Sequence, residues 1–257
     1  MYIVILSVAL FVLFLSLVFN RKKYIPNIIW SFWDADELPS FIQNCVKTWE
    51  AHNPNFQIHV LNKKTLYDYL DREEADYLLN WKHIDNVQKL SDLVRLKLMV
   101  KYGGIWLDTS IIAFKSFDWV YSAGKKCILF SDGAQKNPTI HSWFIASPPN
   151  NVFIREWYDD FTGIDKFESL DAYREKEPED NKKDIDNNYL IVYISARKIY
   201  NKLGKEHVEL IDAVEGPYEY MVKGGLDMLC DNKKSFAKLR KDEREIMTPK
   251  IEQCVFK

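Results

Sequence analysis

Three charged side chains lie close enough in the chain to act together. Asp92 and Arg95 are three residues apart and would share one face of a helix. Asp108 lies near the end of the same stretch, residues 91–110, SDLVRLKLMVKYGGIWLDTS. Within it, Leu93, Leu96 and Val100 recur at the spacing of a buried helical face, and Gly103-Gly104 can take the backbone values that end a helix near Tyr102. Ile105-Trp106-Leu107 reads as a short buried strand. Asp108 then falls where an open α/β sheet presents ligand groups, at its carboxyl edge. That edge is a place for a metal or a phosphate. The bland reading of Asp92 with Arg95 is an ordinary intrahelical ion pair.

The elements that must position these groups are written in the flanking sequence. Residues 24–32 (YIPNIIWSF) give a first strand around Ile28-Ile29-Trp30, preceded by Pro26 and followed by a polar loop that begins at Trp33. Residues 39–52 form an amphipathic helix stopped by Asn53-Pro54, and residues 56–61 alternate as a strand with His59 facing outward. This strand, helix, strand order predicts a parallel sheet with a right-handed crossover. Residues 62–81 read as one helix with Leu66, Tyr69, Leu70, Tyr77 and Leu78 inward and an acidic, solvated face. Further strands are expected at 111–114, 125–130, 139–147 and 208–212, and helices at 151–161 and 186–200. Residues 166–184, rich in charge, read as an exposed connection, and the stretch from Lys233 onward as a charged surface helix with a loose end.

A helix carrying Ser91-Asp92-x-x-Arg95, the Tyr102-Gly103-Gly104 turn, the strand Ile105-Trp106-Leu107 and an Asp108-Thr109-Ser110 end resemble the DXD class of nucleotide-sugar glycosyltransferases. The likeness is greatest to the capsular polysaccharide synthesis proteins and their mannosyltransferase relatives. It implies a GT-A-like, Rossmann-related fold: a mixed, mostly parallel sheet flanked by helices. It also implies a donor that is a nucleotide-diphosphate sugar, a glycan or lipid-linked acceptor, and retention of anomeric configuration with no nucleophile named. Carried over by resemblance, Asp92 accepts hydrogen bonds from sugar hydroxyls and Arg95 reaches sugar or phosphate, for which a planar guanidinium is suited. Asp108 holds a divalent ion, Mn²⁺ or Mg²⁺. Trp33 stacks on the base or caps the core. Tyr102, Gly103, Gly104, Trp106 and Ser110 complete the donor site, and residues 215–218 lie near a loop over the diphosphate. The departure from the strict pattern is Ser110, where the second acidic residue is absent.

Length and composition bound the rest. A 257-residue chain with 47% hydrophobic residues can bury one substantial core. The net charge of -2, with scattered Lys and Arg, gives no sign of a nucleic-acid binder. Residues 2–19 form an uninterrupted apolar run followed by Asn20-Arg21-Lys22-Lys23, with no positive charge before it and no small-residue cleavage site after it. We expect a retained single-pass anchor with its basic flank at residues 1–23 and a catalytic domain at 24–257. The positive-inside tendency puts that domain in the cytosol, with the Golgi lumen as the alternative. Cys45, Cys127, Cys230 and Cys254 fit no zinc spacing, and the chain has no N-glycosylation acceptor, which favours a reducing cytosol.

Two other classes fit parts of this pattern. A catalytically inactive carbohydrate-binding or scaffolding relative is favoured by Ser110. A nucleotidyltransferase or metal-dependent hydrolase would need more carboxylates, and the chain has no Gly-rich phosphate loop.

Overall fold

Alternation in residues 56–61 and β-branched character in residues 28–32 are realised as two parallel strands, β1 (Ile28–Phe32) and β2 (Gln57–Leu61), joined through α1 (Ser40–His52). The computed structural model describes residues 24–132, 138–231 and 234–256. The expected anchor at 1–23 lies outside these residues. Among the described residues no helix is long and apolar enough to cross a membrane.

A short helix α2 (Arg72–Leu79) precedes the long α3 (Val87–Lys101), and β3 (Gly104–Leu107) follows it directly. The chain continues through β4 (Ile111–Ala113), β5 (Cys127–Asp132), β6 (Thr139–Ser147) and α4 (Val152–Thr162). The main sheet has the order β2-β1-β3-β6-β5, with β7 (Val208–Asp212) at the far edge. β1 pairs in parallel with β2 and β3, and β5 with β7, while β6 runs antiparallel to both its neighbours. The fold is thus mixed α/β around a mostly parallel sheet.

The Gly103-Gly104 turn is a steric requirement. Both residues have positive φ, 64° and 94°. A Cβ on Gly103 would lie 2.5 Å from the Pro149 nitrogen, and one on Gly104 2.6 Å from the Ile28 carbonyl oxygen. Without side chains here, α3 can reverse into β3 while β3 lies against β1 and the end of β6. Because helix and strand run in opposite directions, the amino-terminal half of α3 stands beside the carboxyl end of β3.

Several sequence expectations are corrected. Residues 62–81 do not form one helix: a 3-10 turn (Thr65–Asp68) ends before Asp71, which caps α2 by accepting from the Glu74 amide at 2.8 Å. Tyr77 is exposed and donates to Asp165 rather than facing inward. His59 is half-buried against Trp30, with 4.9 Å between ring centroids. Residues 166–184 carry two short helices, α5 (Leu170–Lys176) and α6 (Glu179–Lys182). They are held down by buried Tyr173 and by Arg197 of α7 (Ile191–Leu203), which donates to the Lys183 carbonyl at 2.6 Å.

The largest correction concerns the carboxyl-terminal stretch. After α8 (Glu219–Lys223), residues 236–256 form β8 (Phe236–Lys238), α9 (Lys241–Glu245) and α10 (Pro249–Val255). β8 pairs antiparallel with β4, Lys238 opposite Ile111. Ala237, Leu239, Met247, Ile251 and Val255 share a hydrophobic cluster with Cys45 and Ile112. Cys254 of α10 is disulfide-bonded to Cys230, and Cys45 and Cys127 are buried free thiols.

Candidate functional site

The carboxyl ends of β1 and β3 are adjacent because the two strands are parallel, so Trp33 and Asp108 emerge at one sheet edge. Ser31 donates to the Leu107 carbonyl at 2.5 Å and ties these ends together. The antiparallel β6 brings Ser142 and Trp143 to the same edge, and the Asp108 amide donates to the Trp143 carbonyl at 2.9 Å. Above this edge lies a cavity of about 650 Å³. Its wall includes Trp33, Asp92, Arg95, Asp108 and Ser110, which the sequence singles out, together with Tyr193, Tyr218, Lys238, Arg240, Lys241 and Arg244.

Arg95 sits at the centre of the acidic wall. One terminal nitrogen lies 2.7 Å from Asp92 Oδ1 and bonds Ser142, and the other lies 3.0 Å from Asp108 Oδ1 and 3.2 Å from Ser91 Oγ. Its guanidinium carbon lies 5.1 Å from the centroid of Trp106, whose indole donates to Asp108 Oδ1 at 3.2 Å. Both ends of the guanidinium fork are therefore spent within the protein, and the side chain is 6% exposed. Arg95 thus lies between the two carboxylates with both terminal nitrogens engaged, while its Nε is buried with no hydrogen-bond partner.

The two carboxylates are tuned in opposite directions. Burial, against the pull of Arg95 and with Asp108 nearby, pushes Asp92 up to about 6. Burial also acts to raise Asp108, but Arg95 and Lys238 outweigh it and hold that group below the usual carboxylate range. Asp92 thus changes charge near neutrality, while Asp108 stays an anion.

Four of the residues that the resemblance assigns to the donor site lie outside this cavity wall. Tyr102 bonds the Tyr69 carbonyl and packs on Trp30 at the opposite end of β3. Gly103 and Gly104 form the turn described above. Trp106 is a core side chain that reaches the site only through Asp108 and Arg95. Ser110 does line the cavity, but its hydroxyl is engaged, donating to the Leu239 carbonyl at 2.7 Å and accepting from Lys238 Nζ at 2.7 Å.

Sequence reasoning missed the basic wall. Lys238, Arg240, Lys241 and Arg244 all come from the stretch read as a surface helix. Lys238 Nζ lies 3.5 Å from Asp108 Oδ2, and its side chain is 12% exposed. Burial lowers its pKa, and Asp108 opposes that shift. The Arg244 Nε is buried with no hydrogen-bond partner. No local pattern marks this wall: of Ser235-Phe236-Ala237 only Phe236 favours a strand, and the cations lie in a stretch dense with charge.

The donor set at Asp108 is poor for a divalent ion. Among the described residues no group of three or more His, Cys, Asp and Glu side chains could hold one. More decisively, Asp108 already faces two cations and an indole N–H, and the Ser110 hydroxyl accepts from an ammonium. A dication about 4 Å from that ammonium would be repelled by roughly 8 kcal/mol at an effective dielectric of 20. The residues present do not fit the metal that the resemblance implies at Asp108.

Several known proteins are similar to parts of this chain. A glycosyltransferase of Aspergillus fumigatus, afumC, is 29% identical over 103 residues, covering 35% of this chain and 26% of the relative. The O-glycosyltransferase braB of Annulohypoxylon truncatum is 24% identical over 155 residues, covering 52% of this chain and 36% of the relative. The chain thus spans about a third or less of the length of these curated relatives. Among solved structures, the glycosyltransferase GlyE of Streptococcus pneumoniae TIGR4 is similar with a TM-score of 0.49 and 12% identity, covering 90% of this chain and 59% of that one. The model of the capsular polysaccharide synthesis proteins matches residues 13–163, more than half of the sequence, and the chain belongs to that family.

Proposed function

We propose that this chain is a glycosyltransferase of polysaccharide or glycoconjugate synthesis. It moves a hexose from a nucleotide-diphosphate sugar to a glycan or lipid-linked acceptor, with retention. The observation that carries this reading is the two-sided cavity at the carboxyl edge of β1 and β3. One wall presents the buried carboxylates Asp92 and Asp108, the other presents Lys238, Arg240, Lys241 and Arg244, and Trp33 stands at the end of β1. Family membership supports the same reading.

Transfer from such a donor builds negative charge on the leaving diphosphate and positive charge on the sugar ring. Fixed cations aimed at the diphosphate stabilise the first without reorganisation. Lys238 and the α9 side chains are placed for that task. Asp92, ionised above about pH 6, accepts hydrogen bonds from sugar hydroxyls. Trp33 offers an apolar plane to the base. Asp108 is the hub that holds Arg95 and Lys238, and so fixes both walls. The cations around Asp108 take the place that manganese or magnesium would need.

The anchor at residues 1–23 would keep the domain at a membrane face, close to a lipid-linked acceptor. Its basic flank favours the cytosolic side, whereas the Cys230–Cys254 disulfide favours the lumenal one, where disulfides persist. Protease protection of the domain in sealed vesicles separates the two.

The test of activity is a panel of nucleotide sugars offered to the full-length chain, with release of nucleoside diphosphate as readout. Turnover of one donor, lost in Asp92→Asn, supports the transferase. Absence of both turnover and nucleotide binding points instead to a carbohydrate-binding relative without catalysis.

A further inference from the structure

Ser110 stands where a strict DXD sequence has its second carboxylate, and the side chain that meets it arrives from 128 residues away. Lys238 Nζ lies 2.7 Å from Ser110 Oγ, 3.1 Å from the Leu239 carbonyl oxygen and 3.5 Å from Asp108 Oδ2. A positive charge therefore sits between the first and last positions of Asp108-Thr109-Ser110, surrounded by oxygens. These distances are those of an ammonium making hydrogen bonds, longer than the ~2.0–2.6 Å of a bound magnesium or calcium ion.

The surroundings are built for this arrangement. The Ser110 hydroxyl accepts from Lys238 and donates to Leu239 at once. A carboxylate at the same place could only accept, and would face the Leu239 carbonyl oxygen unpaired. The Leu239 amide donates to the Ser110 carbonyl at 3.3 Å, and β8, which ends at Lys238, pairs with β4, so the backbone carrying Lys238 is fixed on both sides. The contact to Asp108 Oδ2 is longer than an ordinary hydrogen bond, which leaves ammonium donor capacity for a ligand oxygen in the cavity.

We propose that Lys238 stands in for the divalent cation: its ammonium, held between Asp108 and Ser110, bonds the diphosphate of the donor, so that donor binding by this chain requires no metal. The inference rests on the reading of the cavity as a donor site. Arg240, Lys241 and Arg244 extend the same positive wall. The transfer itself is unchanged in its balance: the anomeric carbon–oxygen bond to the diphosphate breaks, and the departing anion is met by the ammonium. The acceptor oxygen forms the new glycosidic bond, and its proton passes to an oxygen of the departing diphosphate.

The test is calorimetric titration of the full-length chain with UDP, GDP, CDP, dTDP and ADP, each in EDTA and in Mn²⁺. It is run on the wild type, Lys238→Met and Lys238→Arg, with thermal melting as the folding control. The expected result is at least one nucleotide binding equally well in EDTA and in Mn²⁺. Lys238→Met should lower that affinity about tenfold or more, and Lys238→Arg should restore most of it. Binding that appears only with Mn²⁺, or that is the same in Lys238→Met, overturns the proposal while leaving the donor site standing. No binding of any nucleotide in either condition overturns the donor reading and this proposal with it. Should Lys238→Met fail to fold, the EDTA and Mn²⁺ arms of the wild type still decide, because they need no variant.

Discussion

The two walls of the cleft were written into the chain in different ways. Residues 91–110 carry helix, turn, strand and carboxylate in one continuous run, so local periodicity discloses both the elements and the chemistry. Residues 236–244 carry the opposing cations on a three-residue strand and a one-turn helix, which only exist because β8 finds β4 and Leu239 finds Ser110. The first wall takes its elements from local order, whereas the second takes its strand from pairing with β4 and Ser110, more than a hundred residues away. A group's place in a site is readable when its neighbours in space are also its neighbours in sequence.

The sharpest way to break this contrast is at the local turn. Gly104→Ala puts a Cβ against the Ile28 carbonyl at a φ of 94°, with backbone rather than a yielding side chain in the way. The expected loss is about 3 kcal/mol or more. It should appear in urea unfolding as a lower midpoint, or as failure to accumulate folded protein, and both walls should be lost together.

Asp92→Asn should leave the fold standing and lower turnover on the order of 10²-fold, if the carboxylate acts in the transition state. The pH dependence has a defined sign. The folded-state pKa of Asp92 is about 6 against an ordinary 3.8, so the protonated form is the one that burial favours. Its contribution to stability is present below that ordinary value and lost as pH rises through about 6, while activity rises over the same window. In Asp92→Asn the activity profile should flatten near pH 6. A profile unchanged by the substitution would remove Asp92 from the chemistry.

Trp33→Ala probes the end of β1 that both walls flank. Loss of one base-stacking plane should weaken nucleotide affinity about tenfold. Unchanged affinity would show that Trp33 only caps the core.

The smallest expected effect tests the seam itself. Ser110→Ala removes one bond to Leu239, worth about 1 kcal/mol, and one from Lys238, whose ammonium keeps the Leu239 carbonyl and Asp108 as partners. A double-mutant cycle with Lys238→Met should return non-additive nucleotide affinities, whereas additive losses would mean the two residues act separately.

The sequence disclosed α1, α3, β1, β2, β3 and the placement of Asp92 and Asp108, because each rests on an apolar period or a glycine pair. It misplaced Tyr102 and Trp106, since a residue flanking a motif looks like part of the site until the strand direction shows which end it occupies. It assigned Arg95 to sugar or phosphate, and spacing cannot reveal that both terminal nitrogens of the guanidinium meet Asp92, Asp108, Ser91 and Ser142. Lys238 was illegible for a further reason: in a stretch dense with charge, a buried lysine is indistinguishable from its solvated neighbours until its partners are known.

Hydrogen exchange of the full-length chain, with and without the nucleoside diphosphate that binds best, tests most directly whether the two walls form one donor site. The expected result is slowed exchange in both 91–110 and 236–244. Slowing confined to one of the two stretches, or to neither, would contradict it.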